Sequence, residues 1–216
     1  MRESTRDERQ RTGSRAARWN ARYRAAPEEG LFGAEPSAWL RMALEWAGQD
    51  PPDALLPADG DGRNGRWLAR RGVAVTAFDL SPEATARAGR LDRAAGVAPE
   101  RAVADLERWR PPANRRWRMA VLMHLHGPPP LRKGALAACA AALAPGGLLV
   151  VEGFSRRQAD CAIGPDDPEL LWSPAELADA PGLAPEELLE GVVRLEEGAR
   201  HRGKAAVVRL IARRIA

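Results

Sequence analysis

The chain has 216 residues, 45% of them hydrophobic and 29% charged, which is enough to bury the core of one α/β domain. Two cysteines, Cys139 and Cys161, exclude a disulfide framework, and no Cys/His cluster has metal-ligand spacing. The net charge of +4 is uneven: residues 1–24 hold eight arginines against three acids, a balance of +5, so the remaining 192 residues sum to −1.

Residues 1–17 form a polar, arginine-rich stretch without periodicity, and a disordered basic tail is expected there. The stretch lacks the apolar core of a secretory signal. Residues 18–50 then read as a helical lid on the main domain, which runs over 18–216. A helix begins near Trp19 and Tyr23, a loop covers residues 31–36, and Ser37 caps a second helix carrying Trp39, Leu40, Ala43 and Trp46, ended by Gly48.

A first strand is expected over residues 53–58. It runs into Asp59-Gly60-Asp61-Gly62-Arg63-Asn64-Gly65, a glycine-rich turn that opens a helix stopped by Gly72. Strand, glycine turn and helix start make a nucleotide site, because glycines let backbone N–H groups approach a ligand and the helix N-terminus adds partial positive charge. Residues 60–65 satisfy G-x-G-x-x-G, with Asp79 following 19 residues after Gly60, which admits a dinucleotide. The acids flanking Gly60 would repel a pyrophosphate, whereas S-adenosyl-L-methionine carries an ammonium and a sulfonium and no phosphate. The charges therefore favour S-adenosyl-L-methionine over NAD.

A second strand spans residues 73–78 and ends at Asp79-Leu80; Ser81 caps a helix with Pro82 in its first turn, ended at Gly96. A short third strand, 101–104, ends at Asp105-Leu106. A fourth, 117–123, ends at Met123-His124-Leu125-His126. A helix over 131–143 and a strand from 148 towards Phe154 follow. The apolar run 134–153 is broken by Pro145-Gly146-Gly147, so it is not a membrane span. Residues 155–185 are loop-rich, with one short helix after Ser173-Pro174. Residues 188–195 and 205–212 are two strands too close for a crossover helix, so they pair as an antiparallel hairpin at the sheet edge. His201 between them reads as a solvated turn residue. The pattern as a whole predicts a doubly wound, mostly parallel seven-stranded sheet, Rossmann-like, with that C-terminal hairpin.

Acids end three successive strands. Asp79 is placed to accept both ribose hydroxyls, and Asp105 the adenine amino group, with Leu80 and Leu106 on the ring. Strand-end aspartates also cap turns, and the set is more telling than any single member.

Several stretches in order carry a resemblance: Trp19-Asn20-x-Arg22-Tyr23, Phe32-Gly33-x-Glu35-Pro36, Gly60-Asp61-Gly62-Arg63-Asn64, residues 75–82, Ala104-Asp105-Leu106, and Leu143-Ala144-Pro145-Gly146-Gly147. With them the chain resembles class I S-adenosylmethionine-dependent methyltransferases of the bacterial branch related to tellurite-resistance and thiopurine methyltransferases. The resemblance implies that the Gly60/Gly62 turn contacts the methionine part, Asp79 the ribose and Asp105-Leu106 the adenine, with Asp59, Asn64, Leu80 and Met123 also among the cofactor-binding residues. It places Trp19 and Tyr23 in a lid, where an aromatic face suits a sulfonium. Such chains carry an acid three positions before the first glycine; here Pro57 stands there, and Asp59 is the nearest candidate to supply the charge. His124 and His126 would face the methyl-transfer site as base or acceptor-orienting groups. No third ligand accompanies them in sequence, so no metal is expected. The expected acceptor is a small soft nucleophile, a thiol or a chalcogen-type molecule; a non-catalytic cofactor-binding domain is the alternative, and an NAD-dependent oxidoreductase stands third. No basic groove with stacking aromatics occurs in the body, which disfavours a nucleic-acid acceptor, and a cytoplasmic monomer or weak dimer is expected.

Overall fold

The structure is a computed structural model describing residues 2–158, 161, 163–198 and 200–215, with the side chains of residues 2–12 excepted. Seven strands form one sheet: β1 (Asp53–Pro57), β2 (Ala74–Asp79), β3 (Glu100–Val103), β4 (Trp117–Met123), β5 (Leu143–Phe154), β6 (Leu183–Glu196) and β7 (Arg202–Arg214). Their spatial order is β3-β2-β1-β4-β5-β7-β6. The first five run parallel, and β7 enters antiparallel between β5 and β6. The helices are α1 (Arg2–Arg24), α2 (Ala38–Ala47), α3 (Arg63–Arg70), α4 (Pro82–Ala94), α5 (Pro129–Ala142) and α6 (Pro174–Ala178).

The alternation of strand side chains splits the core in two. Ala120 and Leu122 of β4 join Leu55, Leu149, Val151 and the α5 residues Leu136 and Cys139 on one face. Met119 and Val121 join Leu56, Val150 and the α2 residues Trp39, Leu40 and Leu44 on the other. Each large apolar side chain buried in this way stabilises the fold by roughly 1.5–3 kcal/mol. Sheet order reverses between β1 and β4, so a crevice opens beyond their C-terminal ends. The first residues past those two strands, Ala58 (φ 54°) and His124 (φ 50°), both take left-handed backbone conformations. For residues with a Cβ that is strained by roughly 1–3 kcal/mol each, and such strain clusters at functional sites.

The expected caps are present. The Ser81 hydroxyl accepts from Ala84 N at 3.1 Å, the Ser37 hydroxyl from Trp39 N at 3.1 Å, and Ser173 forms a capping box with Glu176. The hairpin strands begin earlier and end later than hydropathy indicates. Pro185 hides the start of β6, but it sits beside a register shift on an edge strand, where a missing N–H is tolerated. The largest difference lies at the N-terminus. Helix α1 runs from Arg2, through the segment expected to be a disordered tail, with no proline before Pro27 and with Gly13 accommodated inside it. Its second half docks on α4: the Asn20 carboxamide oxygen accepts from the Ser81 hydroxyl at 2.5 Å, and Arg24 pairs with Glu83 at 2.9 Å. No helix among the described residues is long and apolar enough to cross a membrane.

Candidate active site

The crevice is a cavity walled by the loops after β1, β2, β3 and β4 and roofed by α1. The β1 loop is built by conformation as much as by chemistry. Gly60 has φ 58°, and a Cβ there would land on the Tyr23 hydroxyl, so only glycine lets the lid tyrosine close on the turn. Gly62 (φ 84°) serves as the N-cap of α3 and does not line the cavity; its Cβ would strike the Arg101 guanidinium. The role expected for Gly62 at the cofactor thus becomes one of shaping the turn.

The two acids around Gly60 are not free to receive a cation. The Asp59 carboxylate accepts from Arg101 Nη1 at 2.9 Å, and burial raises its pKa against the pull of Arg101. Asp61 accepts from Leu31 N at 2.7 Å and lies 3.7 Å from Arg87. Asp59 lines the cavity while its charge is shared with a buried network that also joins Arg101 to Asp92 at 2.5 Å. Asn64 lines the cavity while its side-chain oxygen accepts from Ser37 N at 2.8 Å, tying α2 to the turn.

Asp79 differs from its neighbours. Oδ2 accepts from Gly60 N at 2.9 Å and Oδ1 from Ser81 N at 2.8 Å, which fixes the carboxylate with one further acceptor site on each oxygen. Burial pushes its pKa up to about 6, against these two backbone hydrogen bonds and with help from Asp59 and Asp61. Asp105 and the buried Leu106 stand at the next loop, with Leu80 in the same cavity. Arg15 of α1 reaches this end, 3.6 Å from Asp105 and hydrogen-bonded to Glu107. An apolar slot, a carboxylate able to take a diol, and a glycine turn under an aromatic lid thus succeed one another along one cavity, and these residues fit S-adenosyl-L-methionine.

Met123, His124 and His126 form the opposite wall. Trp19 has Arg22 4.9 Å from its ring centre and stacks on His126 at 6.4 Å. His126 in turn stacks on Phe154 at 5.5 Å, and burial, with His124, His201 and Arg22 nearby, pushes its pKa down to about 3. His201 is the main departure from expectation. It is 2% exposed, its ring lies 4.4 Å from that of His124 and 4.6 Å from Phe32, and burial lowers its pKa to about 4. The β6–β7 turn folds inward over the cavity, which hydropathy of the turn alone does not reveal.

Two carboxylates accompany the imidazoles. Glu152 lies 2.9 Å from His124 Nε2 and 2.6 Å from Arg209. Burial alone would raise its pKa, yet those two groups hold it below the usual range. Glu197 pairs with Arg63 at 2.7 Å and lies 3.7 Å from His201 Nδ1. Burial opposes its ionisation as well, but His201, Arg63, His124 and the Ala38 N–H hold it far below an ordinary carboxylate. A sequence signal existed for Glu152, the lone acid in the apolar run 148–154; none marked Glu197 or His201.

No curated protein matches the chain at the sequence level. Solved structures show the fold. One, described under the conversion of a disulfide bond into a thioacetal group during echinomycin biosynthesis, superposes with TM-score 0.70 at 24% identity, covering 93% of this chain and 91% of its own. TehB from Haemophilus influenzae gives 0.66 at 16% identity over 81% of this chain and 62% of its own. Magnesium protoporphyrin IX methyltransferase from Synechocystis PCC 6803, with bound S-adenosylmethionine, gives 0.59 at 14% over 81% and 76%. Residues 57–147, which hold the glycine turn, Asp79, Asp105 and both wall histidines, match the family model described as a methyltransferase domain. Residues 57–147 therefore carry a methyltransferase domain, on a fold that the chain shares with S-adenosylmethionine-dependent methyltransferases.

Proposed function

We propose that this enzyme moves a methyl group to a small soft nucleophile, a thiol or chalcogen-type acceptor. The observation that carries the reading is the second cavity, which shares Trp19, Phe32, His126 and His201 with the cofactor cavity and adds Phe154. It sets polarisable rings against the methyl-transfer wall, with Arg22 and Arg200 also lining it, which suits a compact polarisable acceptor. The neighbour whose description concerns a disulfide bond becoming a thioacetal supports the same class.

The cofactor supplies an activated methyl group on a sulfonium, already an excellent leaving group. The protein's task is to align the acceptor and exclude water. In this reading Asp79 takes the ribose hydroxyls, Asp105 and Leu106 the adenine, and the turn at Gly60 the methionine part. Trp19 and Tyr23 form the lid. His126, neutral at physiological pH, accepts a hydrogen bond from the acceptor, and His124 orients it from the end of β4. The body is close to neutral in charge, consistent with an uncharged or singly charged small molecule and a monomer or weak dimer in the cytoplasm.

The test is a product assay with S-adenosyl-L-methionine and a panel of small thiols, selenols, tellurite, amines and catechols. Methylated sulfur or chalcogen products formed with S-adenosylhomocysteine are expected. Turnover confined to amines or catechols would overturn the soft-acceptor assignment.

A further inference from the structure

Three side chains at the end of the cavity wall lie close enough together for a role beyond aligning the acceptor. His124 follows β4, Glu197 and His201 come from the β6–β7 turn, and one ligand atom from each lies within 4.8 Å of the others. Their side chains are 6%, 6% and 3% exposed. Both ring nitrogens of His124 and Nδ1 of His201 are buried without a hydrogen-bond partner among the described residues. Nε2 of His124 faces a Glu152 oxygen at 2.9 Å, which leaves Nδ1 as the nitrogen for a further ligand. A buried polar nitrogen without a partner is unfavourable and rare, and one such nitrogen on each imidazole, beside the Glu197 carboxylate, indicates a ligand that supplies the missing bonds.

We propose that His124, His201 and Glu197 hold a divalent transition-metal ion of the zinc type. Two imidazoles and one carboxylate are a borderline donor set that suits zinc or cobalt; magnesium and calcium take oxygen ligands. The surrounding groups orient the ligands as such sites require. Arg63 Nη2 and Ala38 N donate to the two Glu197 oxygens at 2.7 and 3.0 Å. His124 is pinned by its own N–H to the Glu152 carbonyl at 2.6 Å and by its left-handed φ. His126 is turned away into its stack on Phe154 and takes no part.

Charge balance defines what completes the site. Glu152 and Glu197 are already matched by Arg209 and Arg63, so a dication adds two uncompensated positive charges to a buried place. The ion is held best with an anionic fourth ligand. A thiolate is such a ligand: the metal–sulfur bond forms as the thiol releases its proton to solvent. This last step rests on the thiol reading above, whereas the metal site itself does not.

The full-length chain, stripped with chelator, is titrated with Co²⁺ and its visible absorption followed. Saturation at one equivalent is expected, with at least about tenfold weaker binding in His124→Gln and His201→Gln, each checked for folding by circular dichroism. Absence of a saturable one-equivalent signal, or binding unchanged in both folded variants, would overturn the site. Addition of 2-mercaptoethanol to the Co²⁺ form should produce a sulfur-to-cobalt charge-transfer band. Co²⁺ binding without that band would leave the metal site standing and remove the thiolate from it.

Discussion

Asp79 shows what a single residue contributes to this site. Its carboxylate is held by two backbone N–H groups, yet burial raises its pKa to about 6. An acid with a raised folded-state pKa favours the protonated form. The stability that this preference supplies is complete below the unfolded value near 3.8 and is lost as pH rises through 6. Binding of a diol needs the opposite state, the ionised acceptor. Cofactor affinity is therefore expected to fall about tenfold between pH 7.5 and pH 5, measured by calorimetry. Asp79→Asn should bind weakly at both pH values while remaining at least as stable as the parent at pH 7.5; a parent-like affinity would remove Asp79 from the ribose. The position of Asp79 was legible because a strand end is marked by the Ser81-Pro82 helix start immediately after it. The state of Asp59 was not, because its partner Arg101 lies 42 residues away in sequence.

At the scale of elements, buried ion pairs join the turn to its surroundings. Arg101 on β3 bridges Asp59 of the turn and Asp92 of α4, with Arg66 of α3 3.3 Å from Asp92. Removing one partner of such a buried network leaves charge uncompensated, so Arg101→Met is expected to destabilise the fold by roughly 3–5 kcal/mol in denaturant unfolding. Arg71→Met, which breaks a more exposed pair with Asp50, should cost about 1 kcal/mol or less. Equal effects would contradict this account of the turn. Helix α1 makes a separate claim, since Arg15 lies in the segment read as tail yet reaches Asp105. Arg15→Ala should weaken cofactor binding up to about fivefold; an unchanged affinity would confine the lid to residues from Trp19 onward. Element identities were readable from strand alternation and helix caps. The extent of α1 was not, because a polar helix without an apolar stripe resembles an unstructured segment.

Across the whole molecule, the alternation of strands and helices followed by a hairpin specified the sheet, and the strand-end acids specified its working edge. The antiparallel return of β7 beside β5 brings His201 and Glu197 over residues at the end of β4, a juxtaposition no local pattern encodes. The cofactor half of the site, built from consecutive β–α loops, was therefore legible, and the acceptor half, built from both ends of the domain, was only partly so. The most direct test is calorimetric titration of the purified protein with S-adenosyl-L-methionine, S-adenosylhomocysteine and NADH. One-to-one binding of the first two and none of NADH is expected. Binding of NADH alone, or of none of the three, would contradict the account.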